Sequence, residues 1–300
     1  MTRRDARFPS GDAECAAWHF GPGRSGACVV MGHGLGAIKE VGVERFAERF
    51  AQAGHDVVSF DYRRFGESGG MPRQVADLPA QLEDWRAAAA FARTLAGVER
   101  IALFGASLGG AHVLTLAAEL PGLAAAIAHV PMADGRAAAA GVRLRDAARL
   151  AAHALVDEIG SRLGRAPHTI PIAGPPRSLA LLSTPVALAG LEILNPAGVP
   201  WPNEIAARIA LRLPRYRPVR SAGRIECPLL VVVCDQDTIA PPAPAIRAAG
   251  DAPRGELVRF PCEHYAVYEG EIREQAIACE LAFLQRCLVR DERDVQSVVA

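Results

Sequence analysis

The sequence has almost no lysine: Lys39 is the single one, and every other strongly basic side chain is arginine. With its many alanines, this reads as genome base composition rather than function. No charge excess exists either, since 33 basic residues balance 33 acidic ones. That gives no electrostatic footing for nucleic acid or an anionic membrane as partner. No apolar run reaches the ~18 residues a membrane span needs. The nearest candidate, 179–194, is broken by Ser183, Thr184, Pro185 and Glu192. No apolar segment follows Arg3 and Arg4, so no signal peptide is expected and the expected location is cytoplasmic. The seven cysteines are odd in number and form no CxxC pair. The expectation is reduced, buried thiols, with no disulfide, no zinc site, no other metal and no cofactor.

What is present suits a packed globular chain of one large domain, or one domain with a sizeable insertion. Strand-like runs at 13–20, 28–31, 56–61, 100–105 and 124–130 alternate with helical patterns at 44–53, 74–95 and 108–120. A hairpin is expected around Pro9-Ser10-Gly11-Asp12. After Pro131 the alternation stops. Residues 134–224 carry helical pieces, at about 136–163 and 203–212, and several prolines. Strand 228–234, helix 242–249, strand 256–260 and helix 272–288 then resume the rhythm. Such alternation predicts an α/β fold, a mostly parallel sheet with helices on both faces. Residues 1–133 and 225–300 form the expected core. Residues 134–224 form the expected helical cap over the C-terminal edge of the strands, where open α/β folds bind ligands.

Gly105-Ala106-Ser107-Leu108-Gly109 fits G-x-S-x-G, between an apolar run of strand length and a helix-rich segment. The glycines permit a strained backbone at Ser107 and a close approach on either side of it. Ser107 is therefore the candidate nucleophile. A serine hydroxyl needs a base within reach, and the base needs an orienting acid. His264 follows the last predicted strand in a loop at the proper edge; His19, His33, His55, His112 and His129 read as structural. The acid comes from Cys234-Asp235-Gln236-Asp237, immediately after a strand. Asp237 is favoured, and Asp235 is placed to brace the loop. Two backbone N–H groups complete the set as an oxyanion hole: Leu108 after the nucleophile, and Leu35 in His33-Gly34-Leu35-Gly36. His33 is read as pinning that loop.

These motifs together resemble an α/β-hydrolase. They include the HGxG loop at His33–Gly36, Asp61-Tyr62-Arg63 with Gly66 and Ser68-Gly69, the elbow at Ser107, Asp237 to Pro241, and the late His264. Gly32–Glu40 and Gln81–Arg86 resemble a subgroup related to dienelactone hydrolases, acetyl-xylan esterase and X-Pro peptidase-like proteins, and polyketide acyltransferases. Cys262-Glu263 stands where relatives often carry two glycines before the histidine. A serine at the elbow excludes the carboxylate chemistry of epoxide hydrolases and haloalkane dehalogenases, and the cysteine of dienelactone hydrolases.

The resemblance implies a serine hydrolase acting on a small-molecule acyl substrate, an ester or thioester, through an acyl-enzyme. An acyltransferase with the same triad is the alternative, and a non-catalytic binder the remote one. Leu179–Leu182, Val186–Leu194 and Trp201 either line an apolar acyl pocket or pack the cap onto the sheet. Arg136, Arg143 and Arg145 either meet an anionic substrate or face solvent. Monomer and homodimer both fit the sequence.

Overall fold

The computed structural model describes residues 3–21 and 26–288. The chain opens with β1 (Arg3–Ser10) and β2 (Ala13–Phe20), joined at Gly11 and Asp12. The expected turn began at Pro9, but that residue stays in the ladder. β1 is the edge of the sheet, where a proline is tolerated. Then come β3 (Ala27–Gly32), α1 (Glu44–Gln52), β4 (Asp56–Phe60) and α2 (Leu78–Thr94). The helix starts at Leu78 rather than Gln74, because Asp77 caps it by accepting the Ala80 N–H at 3.2 Å. Gln74 has a φ of +59°, outside any helix. β5 (Arg100–Ala106), α3 (Leu108–Ala117) and β6 (Ala125–His129) complete the first half.

Between β6 and the next sheet strand lie α4 (Gly135–Ala140), α5 (Leu144–Arg162), β7 (Thr169–Ile170), α6 (Ala187–Leu194), β8 (Ile205–Ala206) and α7 (Ile209–Arg212). The expected helix 136–163 is thus two helices, with Asp134 capping the first by accepting the Arg136 N–H at 2.9 Å. The expected helix 203–212 shrinks to α7, because Ile205 and Ala206 pair with Ile170 and Thr169 instead. α6 was not foreseen. The closing elements are β9 (Leu229–Cys234), α8 (Pro242–Asp251), β10 (Gly255–Phe260) and α9 (Gly270–Leu288).

Eight strands form one sheet in the order β1-β2-β4-β3-β5-β6-β9-β10. β2 is antiparallel to both neighbours, and β4 through β10 run parallel. Successive side chains of a strand feed opposite faces. Val30 and Leu103 pack with Trp85, Leu114 and Ala248 on one face. Val29 and Phe104 pack with Phe46, Phe50 and Phe283 on the other. Both faces are covered, so β3 is buried along its whole length. The cysteines at 15, 28, 227, 234 and 262 are buried, while Cys279 and Cys287 are only half-buried on α9.

Backbones meet most closely at the β5–α3 turn. A Cβ on Gly105 would lie 2.1 Å from the Gly109 carbonyl oxygen. Gly105→Ala is expected to cost roughly 3 kcal/mol or more, since the obstacle is backbone. Gly250→Ala, in α8 with no atom within 4 Å of the new methyl, is expected to stabilise by about 0.5–1 kcal/mol. Urea unfolding of the two variants checks both signs.

Candidate active site

Ser107 sits between β5 and α3 with φ +54° and ψ −111°, a left-handed φ for a residue with a side chain. Its backbone is held on both sides. The Ser107 N–H donates to His129 O at 2.9 Å, and its carbonyl accepts from Met132 N–H at 3.1 Å. Leu108 is the first residue of α3, so its N–H has no acceptor within the helix.

Asp237 and His264 follow β9 and β10 at the same edge of the sheet. The His264 Nδ1–H donates to Asp237 Oδ2 at 2.6 Å, and both side chains are buried. The other oxygen, Oδ1, accepts from Ile239 N–H at 2.8 Å and Ala240 N–H at 2.6 Å. The carboxylate is therefore fixed before it meets the imidazole. Asp235 pairs instead with Arg259 at 2.9 Å. Glu263 Oε2 accepts the Thr238 N–H and hydroxyl at 3.2 and 3.1 Å and the His264 backbone N–H at 3.3 Å. Ser107 and His264 both border one small cavity, with Gly34 and Leu35. Gly34 lies against the serine: a Cβ there would be 3.3 Å from Ser107 Cβ.

The Gly34–Gly36 loop is clamped from two directions. From the intervening segment, Trp201 Nε1–H donates to Gly36 O at 2.8 Å, and Ile172 fills the space beside Gly36. From the core, His33 Nδ1–H donates to Gly34 O at 3.0 Å, with its ring edge-on to Tyr62. Trp85 Nε1–H in turn donates to the Tyr62 hydroxyl at 2.9 Å. Trp201 also borders the small cavity lined by Ser107 and His264, together with Leu182, Leu191 and Leu194.

Sequence reading passed over Lys39. Its side chain is fully buried, with Nζ 2.7 Å from Glu40, 3.0 Å from Asp61 and 2.6 Å from Glu67. Its N–H also donates to Asp61 Oδ1 at 2.7 Å. Burial works against the charge, but these carboxylates outweigh it and hold the ammonium above its ordinary range. His112 and His129 are also engaged. His112 lies between Tyr216 at 2.9 Å and Gln81 at 3.0 Å, and His129 meets buried Glu280 at 2.7 Å. Arg136, Arg143 and Arg145 are exposed. Among the described residues, no helix is long and apolar enough to cross a membrane.

The fold and the elbow define a class. The chain belongs to the α/β-hydrolase superfamily. Residues 23–164 match the serine aminopeptidase S33 family. The chain is 40% identical over 286 residues to the quorum-quenching protein AidA of Acinetobacter baumannii, spanning 94% of each. It is 25% identical over 314 residues to the polyketide transferase af380 of Aspergillus fumigatus, spanning 96% of this chain and 99% of that one. The crystal structure of the α/β hydrolase GrgF from Penicillium sp. superposes with a TM-score of 0.80 at 23% identity, over 96% of this chain and 99% of that one.

Two outcomes follow from the buried groups. Burial pushes His33 down to about 4 and His112 down to about 3, from an ordinary 6.5. Both bind protons more readily unfolded than folded. Their stabilisation is therefore complete above about pH 6.5 and is lost as pH falls towards 4 and below. Unfolding free energy should drop by up to about 1.4 kcal/mol per pH unit for each histidine. Urea titrations at pH 7 and pH 5 measure the slope, and His112→Gln should lower it. Lys39→Met leaves Asp61 buried without its cation and should cost roughly 3–5 kcal/mol in the same assay.

Proposed function

We propose that this chain is a serine hydrolase that cleaves a carboxylic ester or thioester through Ser107, His264 and Asp237. The observation that carries this reading is the 2.6 Å contact from His264 to Asp237, with Ser107 and His264 on the wall of one cavity. In this reading Ser107 Oγ attacks the carbonyl carbon while His264 accepts its proton. Asp237 holds the imidazole with its other nitrogen towards the serine and stabilises the cation that forms. The Leu108 and Leu35 N–H groups stabilise the developing oxyanion. His264 then activates water, and the acyl-enzyme is hydrolysed.

Residues 1–133 and 225–300 act as the catalytic core, and 134–224 as a lid. The lid assignment rests on the walls of the larger cavity at Ser107, which come from both parts: Leu108 and Ile239 from one, Ala147, Leu150 and Leu213 from the other. The likeness to a polyketide transferase over nearly the whole chain favours one second reading, transfer of the acyl group to an alcohol or amine. Product ratios at rising acceptor concentration separate the two. Ser107→Ala should abolish both ester cleavage and labelling by a fluorophosphonate. Asp237→Asn should lower kcat by roughly three to four powers of ten, the usual scale for misorienting the base. Cleavage of a short acyl ester by Ser107→Ala at the parental rate would falsify the assignment.

A further inference from the structure

Ser107 stands between two cavities of very different size. The smaller, about 40 Å³, is bounded by Gly42, Leu194, Trp201, His264, Tyr265 and Tyr268. The larger, about 840 Å³, is bounded by Leu108, Met132, Ala138, Ala147, Leu150 and Leu213. Ser107 and Leu35 border both. By the same measure a water needs about 10–15 Å³, so the smaller cavity holds only a few heavy atoms.

Its walls resist enlargement. Tyr265 and Tyr268 are buried, and Tyr265 fills the space beside Gly190 of α6, where even a Cβ would meet its ring at 2.3 Å. Gly42 has a φ of +82°, and a Cβ there would lie 2.9 Å from Leu194. The larger cavity is different in character. Its interior is mostly aliphatic, and its arginines, Arg143 and Arg177, are solvent-exposed and form a rim.

Proton transfer decides which half of an ester enters which cavity. When the tetrahedral intermediate collapses, the bond from carbonyl carbon to leaving oxygen breaks. That oxygen takes the proton which His264 received from Ser107. The leaving group must therefore lie beside His264, in the smaller cavity. The acyl substituent points away from the imidazole, into the larger one. Water then enters beside His264, gives its hydroxyl to the acyl carbon and its proton, through His264, back to Ser107. The products are a carboxylic acid and a small alcohol.

Resting on the serine-hydrolase reading, we propose that the substrate is an ester with a bulky, largely apolar acyl group and a small leaving group. Trp201, Tyr265 and Tyr268 set the limit on the leaving group, and the residues from 132 to 151 accommodate the acyl chain. A large carrier thioester does not meet this description.

Two isomeric esters test it, because they differ only in which side of the carbonyl carries the chain. Methyl decanoate should be cleaved with a kcat/KM roughly tenfold or more above that of nonyl acetate, the scale on which pockets discriminate added methylenes. Equal rates, or faster cleavage of nonyl acetate, overturn the inference and leave the hydrolase reading intact. If Ser107 takes a fluorophosphonate label but neither isomer is cleaved, the substrate class is wrong. If Ser107 takes no label and neither is cleaved, the hydrolase reading fails and this inference with it. Ala147→Phe should lower the ratio of methyl decanoate to methyl butyrate cleavage by roughly fivefold or more. An unchanged ratio overturns the placement of the acyl chain. Ala138→Phe makes the same test if Ala147→Phe does not fold.

Discussion

The carbonyl of Gly109 occupies the space a side chain at Gly105 would need, and the same crowding extends outward. A Cβ on Gly109 would lie 2.6 Å from the Gly32 carbonyl oxygen, and one on Gly110 would lie 2.9 Å from Pro131. Three parts of the chain, the end of β3, the β5–α3 turn and the segment after β6, thus approach backbone to backbone. Ser107 pays for this with a left-handed φ, a strain of order 1–3 kcal/mol sustained only because the surroundings fix it. The hydrogen bonds from Ser107 N–H to His129 and from Met132 N–H to Ser107 supply part of that constraint. Any account of the site begins here, because the position of Oγ follows from the backbone rather than from a side-chain contact.

The loop facing the serine is secured by a separate set of interactions, mostly polar and mostly buried. Asp61 accepts two donors of Lys39 and the N–H of Glu67 at 2.9 Å, so one carboxylate ties the ends of two loops. A buried charge cluster of this kind is weak evidence for net stability, because desolvation offsets much of the attraction. Its effect is directional: with the ammonium in place, residues 37–41 have one arrangement. Arg63 does the same on the far side, donating to Asp84 at 2.7 Å and to Ser10 at 3.0 Å. Within the Gln81–Arg86 stretch, Asp84 thereby ties α2 to the ends of β1 and β4.

The parallel sheet and the elbow were legible because each depends on residues close together in the chain. The same holds for the placement of Asp237 and His264, which follows from strand ends alone. What lay beyond reach depends on partners far away in sequence. α6 is a short stretch of helix-forming Ala, Leu and Glu interrupted by Gly190, and it packs where that glycine leaves room for Tyr265. Trp201 read as a candidate pocket residue; its second contact, from the indole N–H to Gly36 O across 165 positions, was not legible. The cluster around Lys39 was equally invisible, since Asp61 and Glu67 come from a different loop.

The core and the intervening segment divide the work unevenly. Ser107, Asp237 and His264 belong to the sheet edge, whose geometry the fold holds within narrow limits. The segment from 134 to 224 contributes Trp201 and Ile172 to the clamp on the Gly36 loop, and it also supplies walls to both cavities. It therefore cannot be altered for size alone. A substitution of Trp201 that widens the small cavity also removes the hydrogen bond to Gly36, next to Leu35. Ala138, Ala147 and Leu150 line the larger cavity and not the smaller one. A change of side-chain volume is physically cheapest there, because these positions are half-exposed and lie on helices apart from the strained serine turn and the Lys39 cluster.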